Sequence, residues 1–267
     1  MNISEMLGDS FRYAISDYQK FLIFGVIVVL ANLQIIFSNW AIENYIVIIS
    51  SIISLIFSFV FLGYLVSMVR DTINNIDEMP DLDFGSNIVE GIKAIILTIV
   101  YYIIPFIITI LVAILTGVFD SSLKIYSIAM EGFASNTTDL QAYILTNVPQ
   151  TTFETLFISM VITIIVGIIL FIIFSIFSTI GFARFAKYKS LSEGLSIGKV
   201  FDDIKTIGIG RIIGWIIVLI IIAFVIGFII GILNMIPYIG VILSYLVGYT
   251  LLYIICYRSL GLVYKNA

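Results

Sequence analysis

The sequence predicts an all-α integral membrane protein with six transmembrane helices, short interfacial amphipathic helices and both termini on the inner side. Three observations carry that prediction. The 267 residues are 61% hydrophobic and only 11% charged, with a mean hydropathy of +1.18. A water-soluble domain of this size needs a far more charged skin, so the solvent of this chain is lipid. Several uncharged runs reach the roughly 20 residues that a hydrocarbon core about 30 Å thick requires of a helix. Finally, six of the thirteen basic residues crowd between Gly181 and Arg211 with apolar runs on either side, and basic loops stay on the untranslocated side of a membrane.

The same composition excludes several classes of function. The chain has no histidine and one cysteine, Cys256, which removes His-dependent triads, His-ligated zinc or haem and any intramolecular disulfide. A net charge of −4, with no basic patch interleaved with aromatics outside the membrane face, argues against a nucleic-acid partner. Glu5, Asp9, Arg12, Asp17 and Lys20 occupy the first twenty residues, so no secretory leader is expected.

In chain order, Ile3, Met6, Leu7, Phe11, Ala14, Ile15 and Tyr18 recur at helical spacing opposite Glu5, Asp9, Arg12 and Asp17, giving an interfacial helix over residues 3–19. Span one follows at 21–37, with Asn32 and Gln34 near its outer end, and Trp40 and Tyr45 bracket a short loop. Span two covers 46–68, where Ser50, Ser54 and Ser58 form a stripe suited to helix packing. The inner loop 70–91 is acidic and broken by Pro80, and a second interfacial helix is expected before span three at 92–118. Pro105 removes one backbone hydrogen bond inside that span, so a kink is expected near Tyr101.

The outer loop 119–152 holds the acceptor triplet Asn136, Thr137 and Thr138, a candidate glycosylation site at Asn136. Span four covers 153–180 and leads into the basic inner loop 181–210. There Val200, Phe201, Ile204 and Ile207 alternate with Asp202, Asp203 and Lys205, the pattern of a third interfacial helix. Spans five and six, at 211–233 and 238–257, form a hairpin in which Gly240, Ser244 and Gly248 face Gly227 and Gly231. With this layout twelve of the thirteen basic residues lie inside, Lys124 being the exception.

The order interfacial helix, span, outer loop, span occurs three times in the same orientation, which suggests a threefold parallel repeat. Alternating hairpins with basic inner loops give a similar pattern by default, so both readings stand at this level.

The stretch from Gly63, Tyr64 and Arg70 through Met79, Pro80, Asp81, Asp83, Phe84, Glu90, Gly91 and Lys93 to Tyr101 and Pro105 resembles the archaeal and bacterial membrane family catalogued as domain of unknown function 4013. The similarity extends to the 181–211 loop and the final hairpin, with Phe84 where that family often has Trp and Glu90 where it often has Asp. The resemblance implies a multi-spanning plasma-membrane protein and lends no reaction, catalytic residue or cofactor.

No charge falls in the interior of a span as drawn, which disfavours a proton-coupled pathway. Asp77, Glu78, Asp81 and Asp83 are the one concentration of catalytic-type groups. They are candidates to hold a divalent metal or a headgroup, against the plainer reading of a solvated loop or one paired with Lys187, Lys189 or Lys199. Arg184, Lys187, Lys189, Lys199, Lys205 and Arg211 are candidates for contact with anionic lipid headgroups. The sequence therefore points to a non-enzymatic plasma-membrane protein without cofactor that organises the membrane or docks a cytoplasmic or membrane partner, including a second copy of itself. A small-solute transporter or channel is the first alternative, and a membrane-surface lipid enzyme using the acidic loop is the second.

Overall fold

A computed structural model of the chain describes residues 2–40 and 44–265, and no strand occurs among them. Part of the short loop expected between Trp40 and Tyr45 lies outside the described residues. The chain forms two compact units, Met1–Thr98 with Phe177–Ala267, and Ile99–Ile176. Five helical stretches are long and apolar enough to cross a membrane: Tyr45–Ile73, Phe84–Leu115, Gln150–Tyr188, Ile209–Leu233 and Ile239–Tyr264. A sixth is added if Ile3–Ser16 and Tyr18–Ala31, bent by 92°, count together.

The N-terminal amphipathic helix forms as α1 (Ile3–Ser16), opened by a capping box in which Asn2 and Glu5 satisfy each other's backbone N–H groups. Asp17 ends it and caps α2 (Tyr18–Ala31) by accepting from the Lys20 amide. Span one is not the single helix expected over 21–37. Asn32 leaves helical geometry and its side-chain amide donates to the Val28 carbonyl, a local bond that competes with the backbone ladder. The chain restarts as α3 (Leu33–Asn39). At 1.5 Å per residue, fourteen-residue α2 reaches only about 21 Å.

Span two is α4 (Asn44–Ile73), the helix on which much of the larger unit packs. Its serine stripe receives α3, with Ser54 Oγ accepting from the Gln34 amide at 3.0 Å, which agrees with the packing role expected of it. Gly63 and Gly91 bring α4 and the next helix into backbone contact. A Cβ on Gly63 would overlap the backbone of Asn87, and one on Gly91 that of Phe59. The expected second interfacial helix is fused to span three, in one helix α5 (Phe84–Leu115) that continues through Pro105.

Residues 119–152 are not the loop expected. They fold into α6 (Val118–Ala134) and α7 (Leu140–Asn147). Gly117 at φ 88° turns the chain into α6, and the Asp139 side chain caps α7 through the Ala142 amide. In this smaller unit Gly132 of α6 lets Tyr143 and Leu140 close in, and Tyr102 stacks on Phe171 at 5.8 Å.

Span four is α8 (Gln150–Tyr188), which carries eight residues more at its C-terminal end than the span drawn from hydropathy. It is followed by α9 (Leu191–Gly194) and by α10 (Ile197–Ile207), the third amphipathic helix, which buries Val200, Ile204 and Ile207. Span five is α11 (Ile209–Leu233). Span six is made of α12 (Ile239–Leu243), a π-helical segment Ser244–Tyr249 and α13 (Thr250–Tyr264).

The expected glycine-to-glycine hairpin is half right. Gly240 lies against the Leu233 carbonyl and Gly248 against Ile230, but Gly227 and Gly231 face open space. The hairpin closes by isoleucine into glycine. α11 leaves Ile220, Phe224 and Phe228 well exposed, as suits a helix long and apolar enough to cross a membrane, because lipid tails offer apolar groups the shelter that a protein core gives in water.

The α4–α5 contact gives a direct test. Gly91→Leu should destabilise the detergent-purified protein by about 1–3 kcal/mol or more through overpacking, whereas Gly227→Leu, which meets nothing, should leave the thermal midpoint close to wild type. Equal effects of the two would contradict the packing.

Candidate functional site

Each even-numbered span carries one arginine within about two turns of its C-terminal end: Arg70 on α4, Arg184 on α8 and Arg258 on α13. Their side chains are only 11%, 10% and 3% exposed. A guanidinium stays charged when buried, so each must find carboxylates. Arg70 meets Glu90 of α5 at 2.6 Å and donates from Nε to the Ala186 carbonyl. Arg184 meets Asp203 of α10 at 2.8 Å and Glu193 of α9 at 2.7 Å. Arg258 meets Asp9 of α1 at 2.8 Å and Asp77 at 2.7 Å, and donates to the Ile76 carbonyl.

These contacts close into a circuit. Arg70 ties α4 to α8 through Ala186, and Arg184 ties α8 to α10 through Asp203. The Tyr264 hydroxyl donates to the same Asp203 carboxylate at 2.6 Å and brings in α13, while Arg258 returns to α4 at Thr72. Arg258 also lies 4.4 Å from the Tyr13 ring centroid, so α1 is held by an ion pair and a cation–π contact together. Trp215 of α11 donates to Ser259 nearby in sequence on α13.

The acidic candidates from the sequence are distributed among separate partners. Asp77 meets Arg258, and Asp81 meets Lys20 at 2.8 Å. The Glu78 carbonyl accepts from Tyr13, and Asp83 caps α5 at the Ser86 amide. Arg258 and Lys20 are thus the cations that the carboxylates of Asp77 and Asp81 meet. Among the described residues no three acidic or cysteine groups come together in a metal-binding cluster.

Of the six basic candidates for lipid contact, Arg184 is buried in its ion pairs. Lys199 bridges Glu193 at 2.6 Å, Lys205 lies 3.8 Å from Asp202 and over the Phe201 ring, and Lys187 lies over Tyr188 and Tyr264. Lys189 is exposed at a turn with φ 55°, and Arg211 is half-buried with Nη2 3.9 Å from the Met6 sulfur. Asn136 is exposed at φ 52° between α6 and α7.

The other end of spans five and six is uncharged. The turn from α11 to α12, the π segment and Trp40 enclose a cleft of about 790 Å³. A second cleft of about 340 Å³ lies beside the break in span one, lined by Asn32, Gln34 and the serines of α4.

The family described as Protein of unknown function (DUF4013) matches residues 46–235, well over half of the chain. The chain belongs to that family. The DUF4013 match runs from the start of α4 to just beyond α11 and so includes Arg70, Glu90, Arg184 and Asp203. It is narrower than the near-complete coverage suggested by the resemblance of the sequence. No curated protein and no solved structure matches the chain.

Sequence reasoning missed the arginine pairs because it used these residues as markers of sidedness, of family resemblance at Arg70 and of lipid contact at Arg184. A signal was available: one arginine at the end of each even span, and at least one acid in each segment that precedes an odd span.

Breaking a buried pair at one partner should cost about 3–5 kcal/mol, so Arg258→Met is expected to lower thermal stability sharply. Asp77→Asn removes a partner that is 84% exposed and should cost no more than about 0.5 kcal/mol. A mild Arg258→Met would contradict the bracing. The Glu193 carboxyl is held below its usual range by hydrogen bonds from Lys199 and then Arg184. Its contribution is therefore present above the ordinary glutamate range and lost as pH falls through the lowered value. The stability gap between wild type and Glu193→Gln should be open at pH 7 and close in acid. A gap that widened in acid would reverse the sign assigned to the pair.

Proposed function

We propose that this DUF4013 protein is a non-enzymatic, six-span protein of the plasma membrane with both termini cytoplasmic, built on a threefold parallel repeat. Its braced inner face contacts anionic lipid and presents a fixed surface to a cytoplasmic partner. The observation that carries the reading is the arginine circuit, which spends ion pairs on rigidity at one end and leaves Lys189, Lys199 and Lys205 exposed around it. Charge at the periphery of a rigid face suits headgroup contact, each lysine contributing about 1 kcal/mol near an anionic surface.

The repeat is supported by the order of the pairs. Asp9 of the first unit meets Arg258 of the third, Glu90 of the second meets Arg70 of the first, and Asp203 of the third meets Arg184 of the second. Each preceding-unit arginine thus receives the next unit's acid, and the series closes on itself. Glycine contacts follow the same order twice, Gly25 of α2 against Leu246 of span six and Gly91 of α5 against Phe59 of α4.

A transporter reading has one observation in its favour, the polar cleft at the Asn32 break, since interrupted helices are where transporters hold solutes. Tyr101 is buried, however, and Tyr102 stacks on Phe171, so these two tyrosines inside α5 are occupied by packing.

With Cys256 replaced by serine, a cysteine at Asn136 should react with an impermeant maleimide on intact cells, and one at Lys189 only after permeabilisation. The reverse pattern, or both on one side, would overturn the topology. Replacing Lys189, Lys199 and Lys205 together by alanine should lower the enrichment of anionic over zwitterionic lipid around the protein in mixed bilayers, by about fivefold for each lysine lost. An unchanged enrichment would refute lipid contact by this face.

A further inference from the structure

The cleft at the uncharged end of the last hairpin is lined by Trp40, Tyr238, Tyr245, Tyr249, Asn234 and Ser244, and among the described residues no acid or base of ordinary charge forms its walls. Four aromatic rings border it. Trp40 and Tyr238 meet edge to face at 5.7 Å, and Tyr245 stacks on Tyr249 at 4.8 Å. Three features go beyond ordinary packing. The Trp40 indole N–H is buried with no acceptor among the described residues, a state that costs the full desolvation of a donor. Tyr238 holds φ at 61°, a strained conformation for a bulky side chain that has to be stabilised by its surroundings. The wall carrying Tyr245 and Tyr249 winds as a π-helix, a form that recurs at functional sites.

We propose that this cleft binds the ring of a neutral saccharide. The chemistry of the walls decides among ligand classes. An anion would find no cation among the described walls, and the methyls of a quaternary ammonium or a hydrocarbon would leave Asn234, Ser244 and the tyrosine hydroxyls without a hydrogen-bond partner. A sugar ring has C–H faces that lie on aromatic rings and hydroxyls that both donate to and accept from tyrosine, serine and asparagine. Ser244 Oγ, 2.8 Å from Asn234 Oδ1, holds the asparagine amide in one orientation, as a preformed polar contact requires. The same chemistry is offered by a free saccharide and by the sugar headgroup of a glycolipid.

The test uses the full-length protein in lipid nanodiscs with Trp215→Phe, so that Trp40 is the remaining one of the two indoles. Maltose is titrated in one arm, and a glucosyl diacylglycerol is built into the nanodisc lipid in the other. A saturable change in Trp40 emission with maltose identifies a free saccharide as ligand. A saturable change in the glycolipid arm alone identifies a headgroup. Tyr245→Ala should weaken the responding arm by about tenfold, and Tyr245→Phe, which keeps the ring and the fold, by a smaller factor. The proposal is overturned if neither arm saturates, if a folded Tyr245→Ala protein responds as before, or if choline saturates the cleft at the same concentration as the sugar.

Discussion

A guanidinium carried to the end of an apolar helix cannot shed its charge and cannot be left unpaired. Arg70, Arg184 and Arg258 impose that constraint three times, and most of the larger unit is arranged to meet it. Each draws a carboxylate from an element that lies across the helix ends: Glu90 from α5, Asp203 from α10 and Asp9 from α1. Because the arginines also reach neighbouring carbonyls and hydroxyls, at Ala186, Ile76 and Thr72, the ends of α4, α8 and α13 are fixed to one another as well. α1, which its amphipathic pattern assigns to the interface, is packed on α13 with Met6, Ser10, Tyr13 and Ala14 buried.

The long helices were legible in the sequence because uncharged runs of that length have few other solutions in lipid. Their ends were less so. α4 and α8 continue to Ile73 and Tyr188, past the points where hydropathy falls, because Arg70 and Arg184 are accommodated by tertiary partners rather than by water. The pairs themselves obey no local spacing rule: 20 residues separate Arg70 from Glu90 and 249 separate Arg258 from Asp9. Local chemistry did leave traces that polarity obscured. Asp139 is a cap for α7, and Asn32 has a side chain that competes with its own helix, yet 119–152 read as a loop and 21–37 as one span.

The two ends of the larger unit of this DUF4013 protein are built on opposite principles. One is dense with charge, its buried arginines spent between elements of the same chain and exposed lysines around them. The other, around the α11–α12 turn, carries aromatic rings and neutral polar groups about an open volume. Rigid bracing at one end and a preformed cleft at the other are compatible in a single bundle, since α13 and the π segment share one continuous stretch, Ile239–Tyr264. The bracing and the cleft therefore rest on separate sets of residues, and neither reading depends on the other.

The bracing is tested most directly by a double-mutant cycle across Arg70 and Glu90, with methionine and glutamine as replacements and reversible unfolding in mixed micelles as readout. If the buried pair is what holds α5 to α4 at this end, the coupling energy should be about 1.5–3 kcal/mol, at the upper end for residues in direct contact. Additive single effects, with coupling near zero, would mean that the helices are held by their glycine-mediated packing alone and that the arginine circuit is incidental.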